Sequence, residues 1–341
     1  MGEVLELKFD KVIRLEVKYP WGITPWKVNI GLPSISLPDW HIPYLLTTIK
    51  KWILRWNHIF PEERTFARKF GFPSFIARVD YATTEETQEL HVFEVEAVPA
   101  GIGIACQMVP GFQSRFYELG WPKKVLVVVS SKRINGGDDH LFAQVIRDNE
   151  WSGVTENFLF FRGLREPILF EWEQKSIVPP PFHQESKQYG EGWLWERVPR
   201  EQIEREYNIK INKEKWLGIV IKGLESSRAE KIAICLSRRT RQQIEKWLGR
   251  DARIGIHGGP SGALARIPDS EVYLQRFYFP NKVVITTSVE KQHAYGIWRI
   301  YLGYSLLKKR WEILGGFLNL RASLLIHGAT DSIFVPVYVP I

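Results

Sequence analysis

The sequence predicts an α+β protein built from mixed and antiparallel sheets with helices, and three patterns carry this prediction. Continuous apolar runs at 123–131 and 157–163 are typical of strands in a sheet that is covered on both faces. Alternating apolar and polar residues from 283 to 338 indicate an antiparallel sheet. Apolar residues at helical spacing over 44–60 indicate an amphipathic helix.

The other predicted elements are short and are separated by turn signals. In chain order they are a strand at 4–18, strands at 75–82 and 90–98, a helix after Gly136-Gly137, a hairpin-like pair at 216–223 and 230–237, a helix at 238–249, and a strand in "VYLQRFYFP". The strand, helix and strand between 123 and 163 suggest a small βαβ unit. We divide the chain into an N-terminal lobe, 1–115, this βαβ unit, 116–180, and a third region, 181–341.

Composition limits the class of protein. The 341 residues, 45% of them hydrophobic, can bury a large core. The formal net charge of +8 favours anionic partners without choosing among them. Cys106 and Cys235 are far apart, which argues against a disulfide framework and for a reducing compartment. No window approaches eighteen uninterrupted apolar residues, and the first twenty residues lack a signal-peptide core. We therefore expect a cytoplasmic protein with no membrane partner.

One pair of predicted strands carries charge at every second position. Arg78 and Asp80 lie on the first strand, and Glu94 and Glu96 lie on the second. Side chains at i and i+2 share a face, so antiparallel pairing would gather three carboxylates and a guanidinium. Such carboxylates repel each other unless a cation compensates, and Mg²⁺ takes oxygen ligands of this kind. Spacing alone favours a simpler interpretation, a hairpin whose acids face water. The small residues of "VPAGIGI", which follow, favour close approach of a ligand.

Two further segments could contact an anionic ligand. Lys222 ends an apolar strand and precedes a Ser-Ser-Arg loop, so it could place a point charge on a phosphate. The pattern differs from a P-loop, because the lysine precedes the loop, and an exposed lysine on a hairpin explains it equally well. The apolar strand around Gln275 could border a purine. The last segment contains Arg299, Asn319, Arg321, His327 and Asp331, each of which could also be a turn or rim residue.

In this order, the motifs resemble those of ATP-grasp enzymes, and more closely the circularly permuted branch represented by the synthetase domain of glutathionylspermidine synthase. That family has an R-x-D strand, then an E-x-N strand and a proline; here "RVD" (78–80) precedes "EVE" (94–96) and Pro99. The resemblance implies that Asp80, Glu94 and Glu96 bind Mg²⁺. It also implies that Arg78 stabilises the transferring phosphate. Glu96 stands where the family has Asn, which adds a negative charge.

The resemblance also implies a nucleotide site, with ATP bound between two subdomains. Its contacts would be Lys187, Lys222, Ser226, Ser227 and Arg228 around the phosphates, and Gln275 and Phe277 along the adenine. Residues 181–341 would then be the ATP-grasp-like region, preceded by a pre-ATP-grasp-like unit. The loop after Lys222 lacks the family's glycine-rich pattern.

The implied activity is an ATP- and Mg²⁺-dependent carboxylate–amine ligase that forms an amide or peptide bond through an acyl phosphate. Its partners would be a small-molecule or peptide carboxylate and an amine. Three alternatives stay open: another ATP-dependent phosphotransferase on the same fold, a non-catalytic nucleotide-binding protein, and a basic nucleic-acid-binding protein. The basic residues are dispersed rather than clustered with regularly spaced aromatic residues, so we do not expect a nucleic-acid partner.

Overall fold

The fold is described from a computed structural model of the chain. The described residues are 4–17, 26–59, 76–83, 89–96, 99, 101–120, 126–129, 158–162, 176–178, 196–223, 231–249, 256–265, 267–324 and 331–340. The helices among them are α1 (His41–Ile59), α2 (Ile102–Met108), α3 (Phe112–Glu118), α4 (Ile203–Asn212), α5 (Arg238–Leu248) and α6 (Pro260–Leu264).

The strands fall into three sheets. The strands of a ten-stranded sheet are β1 (Leu5–Lys8), β2 (Lys11–Val17), β3 (Trp26–Leu32), β4 (Ile35–Ser36), β5 (Ile76–Thr83), β6 (Leu90–Glu96), β15 (Asn281–Thr286), β16 (Lys291–Ser305), β17 (Arg310–Arg321) and β18 (Ile333–Tyr338). A three-stranded sheet contains β7 (Leu126–Val129), β8 (Phe158–Arg162) and β9 (Ser176–Val178). A five-stranded sheet contains β10 (Glu196–Pro199), β11 (Gly218–Gly223), β12 (Ile232–Leu236), β13 (Ile256–His257) and β14 (Glu271–Arg276).

The ten-stranded sheet is mixed, as the sequence predicts for the fold class. Its path runs β1-β15-β16-β17-β18-β3-β2, and β5 and β6 extend from β16. The pairs β1–β15, β18–β3 and β18–β4 are parallel, and the others are antiparallel. β16 spans 15 residues, because one part of its edge pairs with β15 and the rest with β5.

Most predicted elements are present, with two differences in detail. The single strand predicted at 4–18 is two strands, because the chain bends at Asp10 and the strands pair with different partners. Helix α1 starts at His41, three residues before its predicted start, because Pro43 fits the first turn of a helix. β7, β8 and β9 are parallel, as expected for the βαβ unit. The helix predicted after Gly136-Gly137 lies outside the described residues.

The two faces of the ten-stranded sheet differ in what covers them. On one face, Leu45, Ile49 and Trp52 of α1 pack with Val79 and Ile300. On the other face, α2 and α3 cover only one end, where Phe112 and Phe116 pack with Tyr301 and Phe317. The charged side chains of Arg78, Asp80 and Arg299 also lie on this second face. We call it the polar face.

The sheets divide the chain differently from the three predicted segments. Strands from 1–96 and from 281–338 belong to one sheet, so the first segment and the end of the third share a core. The five-stranded sheet, within 196–276, packs α4 and α6 on one of its faces. Apolar alternation marks strands but does not specify their partners, so it could not reveal this pairing.

Candidate functional site

The hairpin of β5 and β6 places the four predicted charged residues on one face. Arg78 pairs in register with Glu96, and Asp80 pairs with Glu94. A bulge follows Asp80, after which the register shifts by one residue. The neighbouring residues Val79 and Val95 are buried, Val79 against α1, so alternation turns the charged set to the polar face.

Arg78 is the centre of this charged group. Its side chain is 1% exposed, and its Nε donates to Asp80 Oδ1 at 2.6 Å while its Nη2 donates to Asp80 Oδ2 at 3.0 Å. The same Nη2 lies 2.6 Å from Glu96 Oε2. Burial by itself would lower the pKa of Arg78, but the charges of Asp80 and Glu96 outweigh burial and raise its pKa well above the ordinary value. Arg78 is therefore a permanently charged, fixed guanidinium.

A second arginine, which the sequence did not assign to the site, also binds Asp80. Arg299 on β16 pairs in register with Asp80, and its Nε and Nη2 donate to Asp80 Oδ2 at 3.1 and 3.0 Å. The two residues are 219 positions apart in the chain. Arg299 is 9% exposed. In the sequence, Arg299 is noted only as a polar residue in a segment of alternating apolar and polar residues. Such alternation does not identify the residue that it binds.

The three predicted metal ligands fit Mg²⁺ unequally. The described part of the chain contains no group of three or more His, Cys, Asp or Glu placed to hold a metal ion. Asp80 accepts four hydrogen bonds from two guanidiniums, one at Oδ1 and three at Oδ2. Glu94 and Glu96 share a face of β6, and Mg²⁺ often binds through one or two carboxylates plus phosphates and water. Arginine binds both Asp80 and Glu96 in this arrangement, Asp80 through two guanidiniums and Glu96 through one, and the binding of Mg²⁺ by the three acids stays a prediction.

Two of the predicted nucleotide contacts lie on adjacent strands of the five-stranded sheet. Lys222 on β11 and Gln275 on β14 are both buried, on the face opposite α4 and α6. Gln275 Nε2 donates to the carbonyl oxygen of Phe93 on β6 at 3.5 Å. Beside them, Ile234 of β12 packs with Tyr295 of β16 in one apolar cluster. This face therefore meets the polar face of the larger sheet.

The strand predicted to border an adenine has several groups already engaged within the protein. The N–H of Phe277 donates to the carbonyl of Gly218 at 3.0 Å, and its ring packs with Phe279. Tyr278 stacks on His91 of β6, with ring centroids 4.0 Å apart. An adenine would thus have to use other groups of this strand, and the contact of Phe277 with a nucleotide stays a prediction.

Several predicted residues lie outside the described part of the chain. They are Lys187, Ser226, Ser227 and Arg228, together with His327. On either side of 224–230, the N–H of Gly223 donates to the carbonyl of Lys231 at 2.9 Å. Lys231 also pairs with Asp269 at 3.0 Å. The contacts of the predicted phosphate loop with a nucleotide stay predictions.

The small residues after the acidic strand pack against the protein itself. Gly101 has φ +94°, in the left-handed region, and a Cβ there would overlap the hydroxyl of Tyr301. Tyr301 pairs in register with Arg78. Gly101 therefore allows α2 to start directly against the strand that borders Arg78.

Asn319 on β17 is a further polar residue on this face. It is 1% exposed, and neither its Oδ1 nor its Nδ2 has a hydrogen-bond partner among the described residues. Its neighbours Leu318 and Leu320 pack on the α1 side, so alternation turns Asn319 to the polar face.

Comparison with known proteins gives distant structural similarities. No family model matches the chain, and no curated protein matches it significantly in sequence. A putative gamma-glutamylcysteine synthetase from Methylobacillus flagellatus KT is similar with a TM-score of 0.44 and 12% identity, over 86% of this chain and 87% of that one. A glutathione synthetase-like effector from Globodera pallida is similar with a TM-score of 0.41 and 10% identity, over 94% and 92%. Among the described helices, none is long and apolar enough to cross a membrane.

Proposed function

We propose that this chain is an ATP-dependent carboxylate–amine ligase with an ATP-grasp-like nucleotide site between its five-stranded and ten-stranded sheets. One observation carries the proposal: Gln275, on the predicted adenine strand, reaches the main chain of the acidic strand at Phe93. Two segments that the sequence assigned separately to ATP and to its phosphates thus lie next to each other.

The side chains near this junction suit phosphoryl transfer. Lys222 would place a positive charge on the phosphates, and Arg78 would face the transferred phosphoryl group. Magnesium held by Glu94 and Glu96 would supply charge neutralisation. A carboxylate oxygen of the acid attacks the γ-phosphorus and ADP leaves; the amine then attacks the acyl carbon, phosphate leaves, and the nitrogen loses a proton. Arg78 also suits the oxyanion that develops on the acyl carbon.

A non-catalytic nucleotide-binding protein is the second candidate, and one observation favours it. Asp80 is bound by two arginines instead of being open to a metal. If nucleotide binds but no amide forms, this alternative holds.

The first test of the proposal is Lys222→Met. Because Lys222 would contact the phosphates, we expect the variant to lose most of the rise in melting temperature that ATP or ADP with Mg²⁺ gives the parent protein. Because the substitution removes a buried charge from its partner, the variant's own melting temperature should fall, so the nucleotide effect is taken as the rise above each variant's own melting temperature. The measurement is a thermal melt across a nucleotide titration.

The matched control is Lys308→Met, which removes an exposed lysine paired with Glu312. It should keep the full nucleotide effect. Absence of any nucleotide effect in the parent protein would contradict the proposal. Release of ADP and phosphate that requires both an acid and an amine, with an amide product, would distinguish the ligase from another phosphotransferase.

A further inference from the structure

Polar side chains of four neighbouring strands form a row along the polar face. In strand order β6, β5, β16, β17, the row is Glu94, Asp80, Arg299 and Asn319. Adjacent strands lie about 4.8 Å apart, so the row spans roughly 14 Å. The two glutamates of β6, Glu94 and Glu96, occupy one end, and the amide of Asn319 occupies the other.

The positive charges of this group lie on Arg78 and Arg299. Both arginines bind Asp80, and Arg78 also pairs with Glu96, so Arg299 is the arginine farther from the glutamates of β6. Glu96 approaches this group from the β6 side, at Arg78. On β17, Arg321 lies opposite Tyr295 and is paired with Asp331 at 2.9 Å. Attraction for an anion is therefore strongest on the Arg299 side of Asp80.

Asn319 adds a second, independent observation at the same place. It lies opposite Ile297 on β16 and two residues along β17 from Phe317, which lies opposite Arg299, so it is a diagonal neighbour of Arg299. Its buried amide has no hydrogen-bond partner among the described residues. A buried amide without a partner is costly, and such groups often mark a place where a ligand binds.

We propose that Arg299 and Asn319 form an oxyanion subsite, and that Asp80 positions Arg78 and Arg299 instead of binding a metal. The subsite takes a carboxylate or a phosphoryl group, because a guanidinium and an amide N–H both donate to oxygen. This assignment rests on the proposed ligase function, which identifies the anion as the acid substrate or its phosphoryl group. It places the acid substrate at the β16–β17 end and any Mg²⁺ at the β6 end, on Glu94 and Glu96.

The subsite is tested on the full chain in EDTA, with tripolyphosphate and glutarate as separate probes. Melting temperature and calorimetric binding are measured for the parent protein and for Arg299→Met, Asn319→Leu and Arg310→Met. We expect one of the probes to bind without metal, and Arg299→Met to weaken it at least about tenfold. Arg310, exposed and paired with Glu312, is the charge-matched control and should have no effect.

Asn319→Leu separates binding from folding. Replacing an unpartnered buried amide by an apolar side chain of similar size should leave the melting temperature unchanged or raise it. The same change should weaken the bound probe about tenfold. If Asn319→Leu binds the probe as tightly as the parent protein does, Asn319 is not part of the subsite.

The role of Asp80 is tested by the Mg²⁺ concentration that half-maximally supports ADP stabilisation. Glu94→Gln and Glu96→Gln should raise this concentration severalfold and leave anion binding in EDTA intact. Asp80→Asn should weaken anion binding and leave the Mg²⁺ midpoint unchanged. If Asp80→Asn raises the midpoint as the glutamate variants do, or if the probes bind only with Mg²⁺, the inference is overturned. If Arg299-dependent anion binding persists but ATP and ADP do not bind, the proposed function fails and the subsite stands.

Discussion

His41 shows how burial sets the charge of a single residue in this protein. It is 1% exposed at the start of α1, and its Nδ1 lies 2.8 Å from the hydroxyl of Tyr81. The rings of Trp40 and Trp298 contact it edge to face. Burial lowers the pKa of His41 from 6.5 to about 4, because an imidazolium there would lose its hydration.

This shift predicts a pH dependence of stability. Between about pH 4 and 6.5 the unfolded chain takes up a proton that the folded chain does not, so the free energy of unfolding falls as pH falls through this window. The loss is at most about 3 kcal/mol. The free energy of unfolding in urea is measured across this pH range for the parent protein and for His41→Gln. The decrease caused by His41 should be present in the parent protein and absent from the variant. Equal slopes would mean that His41 titrates normally.

Gly101 predicts a second effect at a single position. Gly101→Ala must accept both φ +94° and an overlap with the hydroxyl of Tyr301. Gly249→Ala is the matched control, since Gly249 has φ +86° and no atom within 4 Å of the added Cβ. We expect about 1 kcal/mol of destabilisation for Gly249→Ala, from backbone strain alone, and about 1–3 kcal/mol more for Gly101→Ala. Chemical unfolding measures the stability of both variants. Equal losses of stability would show that Tyr301 moves away from the added Cβ without destabilising the protein.

At the scale of elements, β16 is the strand on which the site is assembled. Its edge pairs with β15 and then with β5, and the side chain of Asn281 joins these two neighbours. Asn281 Oδ1 accepts from the N–H of Thr83 at 2.9 Å, and its Nδ2 donates to Thr83 Oγ1 at 2.8 Å. β15 and β5 come from distant parts of the chain and follow each other along the same edge of β16. The side-chain amide of Asn281 satisfies the N–H and the hydroxyl of Thr83 where these two strands meet.

Asn281→Ala should therefore destabilise the protein by about 1–2 kcal/mol, because the Thr83 N–H loses its acceptor. Thr83→Val is the graded control, since it removes only the hydroxyl and keeps the main-chain bond. It should cost about half as much, on the order of 0.5–1 kcal/mol. The free energy of unfolding in urea gives both values. If Asn281→Ala loses no more stability than Thr83→Val, the hydrogen bond from the Thr83 N–H to Asn281 does not contribute to stability.

At the scale of the whole molecule, one apolar cluster joins the two larger sheets. Phe279 is 4% exposed and follows the five-stranded sheet, and it stacks with Tyr295 of β16 at 6.2 Å. Ile234 and Leu236 of β12 belong to the same cluster. Any ligand between the sheets lies beside this cluster, so the packing there holds both walls of the site.

Phe279→Ala should cost about 3–5 kcal/mol and lower hydrogen-exchange protection in both sheets. Phe112→Ala, which empties the core under α3, should cost a similar amount and lower protection in the ten-stranded sheet. Exchange followed by mass spectrometry distinguishes the two patterns. If Phe279→Ala affects one sheet alone, the sheets are independent units.

Much of the hairpin site follows from local rules. Alternation predicted that Arg78, Asp80, Glu94 and Glu96 share a face, and the register of β5 and β6 confirms it. The strands around Lys222 and Gln275 were likewise predicted from apolar runs. Their contacts with ATP and Mg²⁺ remain predictions, since periodicity describes a strand and not what binds to it.

The sequence by itself determined which residues are polar, which face of each strand they occupy, and that the chain mixes helices with mixed and antiparallel sheets. Only the tertiary structure decided that Arg299 binds Asp80 and that β1–β6 and β15–β18 form one sheet. The physical reason is that a strand's alternation is set by its own residues, whereas its partner is set by packing across more than 200 residues of chain. Asp80, which the resemblance implies as a metal ligand, binds two arginines in the folded protein.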